Sequence, residues 1–399
     1  MDRIVGIDHL GVATPAFVLP LGDLAAARGV PVEKIHKGLG AFEMSVAPPW
    51  DDPVTLGANA AARALRTGDI DPQEIGMLLV GTETAVDHAK PVGVFLHELL
   101  GLRSACRTVE LKHACYGGTA GMMLALEWLR SGAARGRKAL VVATDIARYD
   151  IGSSAEFTQG AGAVALVLSE APRLVALDSI TGVYARNVYD FWRPLDRREA
   201  LVDGKLSIEC YLGALEGTLV DHRENGGDPD ARWAAMLYHA PFPKMTYKAH
   251  ERFLQHVAVH TGRPMDEVAS SFASLVEPTL AAARRVGNSY TASLYLCLAS
   301  LLEGQAASLV DRPLSFFSYG SGCCAEFFSG RVTASAPPLA GRIGLDALLD
   351  DRHRLDVAGY EALARGAGGL GDVAWPRAGA HLVSVQDHRR VYELAGARR

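Results

Sequence analysis

The stretch "VELKHACYGGTAGMMLALEWL", residues 109–129, carries the strongest signal of fold and chemistry in the chain. A β-type segment ends at Leu111, a single cysteine follows at Cys115, and several glycines then open a long apolar run. This pattern predicts a strand, a tight turn and a helix that runs close to neighbouring backbone, because glycine has no side chain to hold two backbones apart. The thiol would lie at a helix amino terminus, where unpaired N–H groups favour a thiolate. An isolated cysteine is more often buried and inert, so further evidence is needed.

Apolar β-type runs alternate with helical patterns along the whole chain, as in a mixed α/β protein with buried sheets. The predicted strands are 3–12, 75–81, 106–111, 138–145, 162–169, 173–180, 233–239, 314–320 and 381–386. The predicted helices are 53–67, 117–132, 205–222, 264–285 and 289–303. The order of these elements predicts two α/β halves that meet near residue 170.

The composition excludes several classes of protein. Of the 399 residues, 49% are hydrophobic and 21% are charged, as in a globular protein, and the net charge of −5 offers no basic surface for nucleic acid. The longest apolar run is too short to cross a membrane, and the first residues lack the apolar core of a signal peptide. We therefore expect a cytoplasmic protein with no membrane contact. Its six cysteines are expected to be thiols, without a paired CxxC set for zinc.

Other element ends carry side chains that suit a catalytic site. Glu83 follows a strand, where a half-buried carboxylate can have a raised pKa and act as acid and base. His239 ends another strand, Asn288 begins a helix, and the 320–322 Gly-Ser-Gly turn offers N–H groups to an anion. Taken singly, Glu83 is typical of an ordinary loop carboxylate or helix cap, and His239 is more often a packed histidine than a catalyst. Asn288 alone would be a helix N-cap, and the Gly-Ser-Gly segment alone would be a tight turn.

Together these segments resemble the 3-hydroxy-3-methylglutaryl-CoA synthase family over essentially the whole chain. Eight stretches carry the resemblance, in the family's order and at comparable spacing: "GTETAVD" (81–87), "ACYGGTAG" (114–121), "ATDIARY" (143–149), "TQGAGAVALVL" (158–168), "VYDFWRPLDRREALVDGKLSIECYL" (188–212), "YHAPFPKM" (238–245), "GNSYTASLYL" (287–296) and "FSYGSG" (317–322). The resemblance implies a thiolase-like fold, in which two similar α/β halves form five layers (αβαβα), usually in a homodimer.

The resemblance also places the candidate residues in two halves. Residues 1–170 would form the amino-terminal half and residues 171–399 the carboxy-terminal half. The first half would carry Glu83 and Cys115, and the second would carry His239, Asn288 and the 318–322 turn.

The mechanism that the resemblance implies uses three catalytic residues. Cys115 matches the family's nucleophile, which takes an acetyl group from a thioester. Glu83 matches the acid/base, which removes a proton from the acetyl methyl and later returns it to the new alkoxide. His239 matches the histidine that binds and polarises an acetoacetyl or β-ketoacyl thioester. Backbone N–H groups at Cys115 and in the "YGSG" turn would stabilise the enolate charge. Water then releases the product, without a metal or redox cofactor, and acetyl-CoA or an acetyl carrier protein is a substrate.

Five further residues are predicted to bind substrate. Asn288 and Ser321 match family positions near the acyl pocket, and Lys244 matches a residue at the thioester entrance. Tyr116 adjoins the nucleophile, and Asp190 lies in the segment "YDFWRP", which we expect to shape the site.

Three alternative functions differ from a CoA-dependent synthase in the acyl carrier, in the reaction or in having no activity at all. A polyketide β-branching synthase, which extends a β-ketoacyl chain on an acyl carrier protein, uses the same catalytic residues; "VELKHACYGGTAG" and "RRVGN" are similar to that subgroup. "TETAVD", "DFWRP" and "PFPKM" are more similar to the CoA enzymes of bacterial mevalonate pathways, which we favour. A CoA enzyme needs a cationic niche for nucleotide phosphates, and a carrier-protein enzyme needs a basic patch around the tunnel mouth. A decarboxylating ketoacyl synthase normally uses a histidine-rich site, and a silent scaffold has no need of an intact Cys/Glu/His set.

Overall fold

The computed structural model describes residues 3–197, 199–262, 264–366 and 379–395. Its strands are β1 (Val5–Ala13), β2 (Phe17–Pro20), β3 (Glu43–Val46), β4 (Ile75–Gly81), β5 (Arg107–Leu111), β6 (Lys138–Ala147), β7 (Gly160–Ser169), β8 (Val175–Leu177), β9 (Gly182–Ala185), β10 (Phe191–Trp192), β11 (Leu201–Val202), β12 (Ala235–Tyr238), β13 (Pro313–Gly320), β14 (Cys324–Val332), β15 (His353–Arg354), β16 (Ala380–Gln386) and β17 (Arg389–Leu394).

The α-helices lie between and around these strands. They are α1 (Leu21–Ala27), α2 (Val32–His36), α3 (Pro53–Thr67), α4 (Val92–Leu99), α5 (Gly117–Arg130), α6 (Gly204–Glu224), α7 (Pro243–Thr261), α8 (Val268–Leu275), α9 (Ala283–Val286), α10 (Ser293–Leu309), α11 (Ala336–Ala340), α12 (Leu345–Asp350) and α13 (Val357–Ala364). Within the described ranges, no helix is both long and apolar enough to cross a bilayer.

One large sheet contains the same pairing pattern twice. Its strand order is β12-β13-β14-β8-β1-β7-β6-β4-β5, with β9 paired to β14. In one half β4 is parallel to β6, which continues antiparallel into β7 and then β1. In the other half β12 is parallel to β13, which continues antiparallel into β14 and then β8. The halves join where Val5 of β1 faces Leu177 of β8. This duplicated mixed α/β arrangement is the predicted thiolase-like fold, whereas the boundary at residues 170 and 171 stays a prediction.

Helices cover both faces of this sheet. Helix α3 packs on β1, β6 and β7, and α5 packs on β4 and β6. In the second half α6 packs on β9 and β14, whereas α10 packs on β12 and β13. The central helices α5 and α10 meet where Thr119 Oγ1 lies 2.8 Å from the hydroxyl of Tyr295. The first turns of α5 and α10 therefore lie together in the interior, between the two halves of the fold.

The apolar pattern of α5 explains why it is held in that central position. Met122, Ala125, Leu126 and Leu129 recur at helical spacing and are buried. Burial of each of the larger side chains stabilises the fold by roughly 1.5–3 kcal/mol. Strands β1, β4 and β7 are buried at every position, as expected when helices cover both faces.

Two of the predicted elements match the structure in full and one is wrong. The strand at 75–81 and the helix at 53–67 have the predicted bounds. The predicted helix at 264–285 is instead α8, a short 3-10 turn and α9. Pro278 lies in that turn, and proline removes a hydrogen-bond donor from a helix and clashes with the preceding turn. Helix α7 was not predicted. Its Pro243 occupies the first helical position, where no N–H is needed.

Candidate active site

One cavity of about 290 Å³ brings together four of the predicted site residues, Cys115, His239, Asn288 and Ser321. They come from the beginnings of the two central helices and from the ends of β12 and β13. Much of the remaining wall is aromatic, and these lining residues are Tyr149, Phe191, Tyr211, Phe242, Tyr290 and Tyr319. An apolar cavity with few polar groups at one end is typical of a small-molecule site.

Close backbone packing places Cys115 beside the loop that follows β4. A Cβ atom added to Gly81, at the end of β4, would lie 2.3 Å from the backbone nitrogen of Gly118. The strand end and the first turn of α5 therefore touch backbone to backbone, as the glycine pattern predicted. Ala114 has a φ of 39°, a conformation that residues with a side chain rarely adopt. This strained turn sets the thiol against the loop that carries Glu83.

Cys115 and Glu83 form a hydrogen-bonded pair. The Cys115 Sγ donates to Glu83 Oε1 at 3.4 Å. Burial, with a smaller contribution from Asp145, raises the pKa of Glu83 to about 8. Burial and the same two carboxyl groups raise the pKa of the Cys115 thiol well above its usual value. The prediction that the helix terminus favours a thiolate here is wrong, because desolvation and two acidic neighbours oppose the negative sulfur. In the unloaded site the thiol keeps its proton, which points at Glu83.

Asp145, which the sequence analysis did not single out, holds the Glu83 loop. One of its oxygens accepts hydrogen bonds from the Thr82 hydroxyl, the Glu83 N–H, and both the N–H and hydroxyl of Thr84, at 2.8–2.9 Å. Its other oxygen accepts from the N–H and hydroxyl of Thr291, at 3.2 and 2.5 Å. Asp145 is fully buried. It therefore ties the Glu83 loop to the residues before α10, across the two halves of the fold.

Arg193 closes the Glu83 loop from the solvent side. Its guanidinium donates to the carbonyl oxygens of Glu83 and Thr84. Arg193 belongs to the predicted site-shaping segment "YDFWRP", but its own role was not predicted. The contact links that segment to the acid/base loop.

His239 lies in the cavity as a neutral imidazole. It is 3% exposed, and burial lowers its pKa to about 3. Its backbone N–H donates to the Phe317 carbonyl at 2.8 Å, and its carbonyl accepts from the Tyr211 hydroxyl at 2.7 Å. A neutral imidazole has one donor and one acceptor nitrogen, so it can donate to a carbonyl oxygen without carrying charge. These contacts hold the residue by its backbone and leave the ring to line the cavity.

Asn288 is among the residues that line the cavity, whereas Lys244 is not. Asn288 lines the cavity and its Oδ1 accepts from the N–H of Tyr290 at 2.9 Å, so it also orders the turn before α10. Lys244 is exposed at the start of α7, between the lining residues Phe242 and Met245. The predicted role of Lys244 at the thioester entrance stays a prediction.

Tyr116 and Asp190 are not among the residues that line the cavity, and their predicted role as substrate ligands stays a prediction. The Tyr116 hydroxyl instead donates to Glu326 at 2.7 Å. Asp190 accepts from the Tyr319 hydroxyl at 2.5 Å and from the N–H of Gly322 at 2.9 Å. Both side chains therefore support residues around the site. Because Asp190 already occupies the Gly322 N–H, that group is removed from the predicted oxyanion donors of the turn.

The arrangement suits acyl transfer followed by proton abstraction. A thiol contacts a carboxyl group of raised pKa, and a neutral imidazole lies across the same cavity. In the part of the chain that the structure describes, no cluster of three or more His, Cys, Asp or Glu could hold a metal ion.

Comparison with known proteins identifies a family. The family model "Hydroxymethylglutaryl-coenzyme A synthase N terminal" matches residues 1–172, and its C-terminal counterpart matches residues 175–261 and 260–365. The hydroxymethylglutaryl-CoA synthase of Enterococcus faecalis is 38% identical over 359 residues, which are 90% of this chain and 91% of that protein.

Two further matches differ in the acyl carrier that they name. The polyketide biosynthesis 3-hydroxy-3-methylglutaryl-ACP synthase PksG of Bacillus subtilis is 34% identical over 378 residues, covering 91% of this chain and 88% of PksG. The solved structure of MvaS in complex with 3-hydroxy-3-methylglutaryl coenzyme A superposes with a TM-score of 0.93 at 44% identity, covering 99% of this chain and 100% of MvaS. These proteins share one fold.

Proposed function

The chain belongs to the hydroxymethylglutaryl-coenzyme A synthase family and is an acyltransferase that forms a 3-hydroxy-3-methylglutaryl thioester; we propose that it does so through Cys115, Glu83 and His239, with coenzyme A as the carrier. The observation that supports these roles most strongly is the hydrogen bond from the Cys115 thiol to Glu83. Cys115 and His239 line the same cavity, and Glu83 lies behind the thiol rather than among the lining residues.

The first step transfers an acetyl group to Cys115. As the sulfur attacks the thioester carbonyl, its proton passes to Glu83, to which it already points. The carrier thiolate leaves and takes up that proton, so Glu83 becomes a carboxylate again. The products are acetyl-S-Cys115 and the free carrier thiol.

The second step forms the new carbon–carbon bond. Glu83 removes a proton from the acetyl methyl, and the resulting carbanion attacks the ketone carbon of an acetoacetyl thioester. His239 donates a hydrogen bond to the ketone oxygen, on which negative charge develops. Protonated Glu83 then returns its proton to the new alkoxide. Water finally cleaves the Cys115 thioester, which leaves a free carboxylate on the product and restores the thiol, with no cofactor consumed.

A cationic surface beside the cavity supports an anionic carrier. Lys244 and Lys248 lie on the first turns of α7, and Lys34 and Lys37 lie on and just after α2. The two segments touch, because the Lys244 N–H donates to the Leu39 carbonyl at 2.9 Å. Lysine ammonium groups bind phosphates, which both coenzyme A and the phosphopantetheine arm of a carrier protein possess.

The second candidate function is β-branching on an acyl carrier protein. It is supported by the similarity to PksG, whose name specifies an ACP substrate. The catalytic steps are the same, and only the carrier and the length of the β-ketoacyl acceptor differ.

We also propose that the protein is a cytoplasmic homodimer. Strand β5 lies at the outer edge of the sheet, where unpaired backbone groups can pair with a second copy. Val109 of β5 and Leu124 of α5 are 42% and 54% exposed, so an apolar surface adjoins that edge. The six free thiols suit a reducing compartment. Sedimentation velocity tests the dimer: Val109→Lys should yield monomers, and an unchanged sedimentation coefficient would refute pairing at β5.

Intact-protein mass spectrometry tests the proposed function. The protein is exposed briefly to acetyl-CoA or, separately, to an acetyl-loaded acyl carrier protein, with Cys115→Ala as the control. One acetyl group from acetyl-CoA that is absent in the variant would support the CoA enzyme. Loading only from the carrier protein would support the β-branching function instead. Absence of acetyl from both donors in a folded protein would refute the role of Cys115.

A further inference from the structure

The connection between β6 and β7, residues 148–159, forms one wall of the catalytic cavity. Four of its residues line that cavity: Tyr149, Ser154, Ala155 and Thr158. On the other side of the same connection lies a second cavity of about 290 Å³, which Tyr149 also lines. Apart from one 3-10 turn, this connection has no regular secondary structure. A segment without regular secondary structure that separates two cavities needs side-chain interactions to keep its position.

Glu156 supplies those interactions, although it does not line the catalytic cavity. Its side chain is fully buried and points away from the catalytic cavity toward α1. Arg28 donates to both of its oxygens at 2.9 Å, and the N–H of Gly152 donates to Oε2 at 2.9 Å. The Tyr360 hydroxyl donates to Oε1 at 3.0 Å. Every hydrogen-bonding direction of the carboxylate is thus used, and the bidentate geometry fixes its orientation as well as its position.

The same network continues to the residue that lines both cavities. The Tyr360 hydroxyl accepts from Gln159 Nε2 at 2.8 Å, and Gln159 Oε1 accepts from the N–H of Tyr149 at 2.8 Å. Arg28 also pairs with Glu361 at 2.8 Å, which anchors it to α13. The wall is therefore held at both ends by helices that lie outside the catalytic centre.

We propose that Glu156 is a positioning residue that sets the size of the acyl group accepted on Cys115, by fixing the 148–159 wall through Arg28 and Tyr360. The inference rests on the proposed function, since it assumes a thioester at Cys115. An acetyl and a propionyl group differ by one methylene. A packed pocket distinguishes such groups by about 10-fold or more only while its wall stays in place. Loss of the Glu156 contacts allows the wall to move toward the second cavity. The propionyl group is then loaded more readily relative to the acetyl group.

The test is a competition between two donors. Wild type, Glu156→Gln and Tyr360→Phe are exposed to equal concentrations of acetyl and propionyl thioesters of the carrier that loads wild type, and the propionyl-to-acetyl ratio on Cys115 is read by mass. Glu156→Gln should raise this ratio about 10-fold. Tyr360→Phe keeps the Arg28–Glu156 pair and should raise the ratio less. Because it is a milder change, it provides the test if Glu156→Gln does not fold.

Asp8→Asn is the matched control. Asp8 is 1% exposed and accepts two hydrogen bonds from Arg173, at 2.6 and 3.1 Å, and it also pairs with Lys138 at the opposite end of β6. This variant breaks an equally buried bidentate pair far from the wall, so it should lower stability without changing the ratio. General destabilisation affects both donors alike, and only a displaced wall changes their ratio.

The outcomes separate the inference from the proposed function. Wild type that loads neither donor would refute the proposed function and the inference with it. Wild type that loads normally, with folded Tyr360→Phe or Glu156→Gln at the wild-type ratio, would refute the inference alone. An equal rise in Asp8→Asn would also overturn it.

Discussion

The central helices α5 and α10 begin in similar ways in the two halves of the fold. Each leads into a strand that pairs in parallel with the strand beside it, β6 with β4 and β13 with β12. Each is also preceded by a residue other than glycine with a positive φ, Ala114 at 39° and Tyr290 at 45°. The duplicated fold thus creates two strained turns that face one cavity.

The two halves differ in the chemistry that they place there. The first half contributes Cys115 and Glu83, which share a hydrogen bond and whose pKa values are both raised. The second half contributes His239 and Asn288, a neutral imidazole and an amide. We infer that the first half performs bond making and proton transfer, while the second half binds and polarises the acceptor.

The largest effect on the condensation rate is expected when the proposed proton acceptor of the first half is removed. Glu83→Gln keeps the shape of the side chain but cannot take the methyl proton, so condensation should fall by about 10³-fold or more. Stopped-flow consumption of acetoacetyl-CoA by protein that already carries acetyl measures this step. Asp87→Asn, a change of an exposed carboxylate in the same loop, is the control and should behave as wild type.

The pH dependence of condensation tests the comparison, because only the first half is expected to contribute a limb near neutral pH. Glu83 must be a carboxylate, and its pKa is about 8, so the rate should rise with pH and level off near that value. Below it, the rate should fall about tenfold for each pH unit. His239, with a pKa of about 3, stays neutral and adds no limb near neutral pH. A rate that falls as pH rises through about 6.5, the ordinary histidine range, would show that a charged His239 is needed.

The smallest expected effect is on stability and concerns the packing of β4 against α5 within the first half. Gly81→Ala forces a Cβ against the backbone of Gly118 and should lower the free energy of unfolding by about 1–3 kcal/mol. Gly213→Ala in α6 is the control, since no atom lies within 4 Å of the added Cβ, and it should be neutral or stabilising by about 0.5–1 kcal/mol. Denaturant unfolding measures both, and equal stabilities would argue against the close approach of β4 and α5.

Local signals predicted the elements that carry the site. Helix α3 was predicted at its observed bounds from its helical pattern alone, and the structure adds a capping box between Asp52 and Thr55 at its start. Helix α7 was not predicted, since Pro243 is compatible both with a loop and with the first helical turn, which it occupies. Sequence patterns predict structure that depends on neighbours along the chain. A proline can be interpreted only when its position within a helix or loop is known.

The catalytic residues and their supports differ in how visible they are in sequence. The resemblance indicated Cys115, Glu83 and His239, and the structure brings them together, while their catalytic roles stay a proposal. Asp145 was missed because its partners lie 61 to 146 residues away, so no local motif reveals its hydrogen bonds. Its position at the end of a buried strand was the available signal, since a buried aspartate needs several donors. Tyr116 adjoins Cys115 in sequence, yet its side chain points to the other half.

A pulse and chase on one sample tests the division between the halves most directly. Wild type, Glu83→Gln and His239→Ala are incubated with acetyl-CoA, or with the carrier that loads wild type, then mixed with acetoacetyl-CoA and followed by the mass of the Cys115 peptide. The account predicts that wild type loads and discharges, and that His239→Ala loads normally but keeps its acetyl group. Glu83→Gln should load, though more slowly, and also keep the acetyl group. Failure of folded His239→Ala to load, or a chase that empties Glu83→Gln as fast as wild type, would contradict the account.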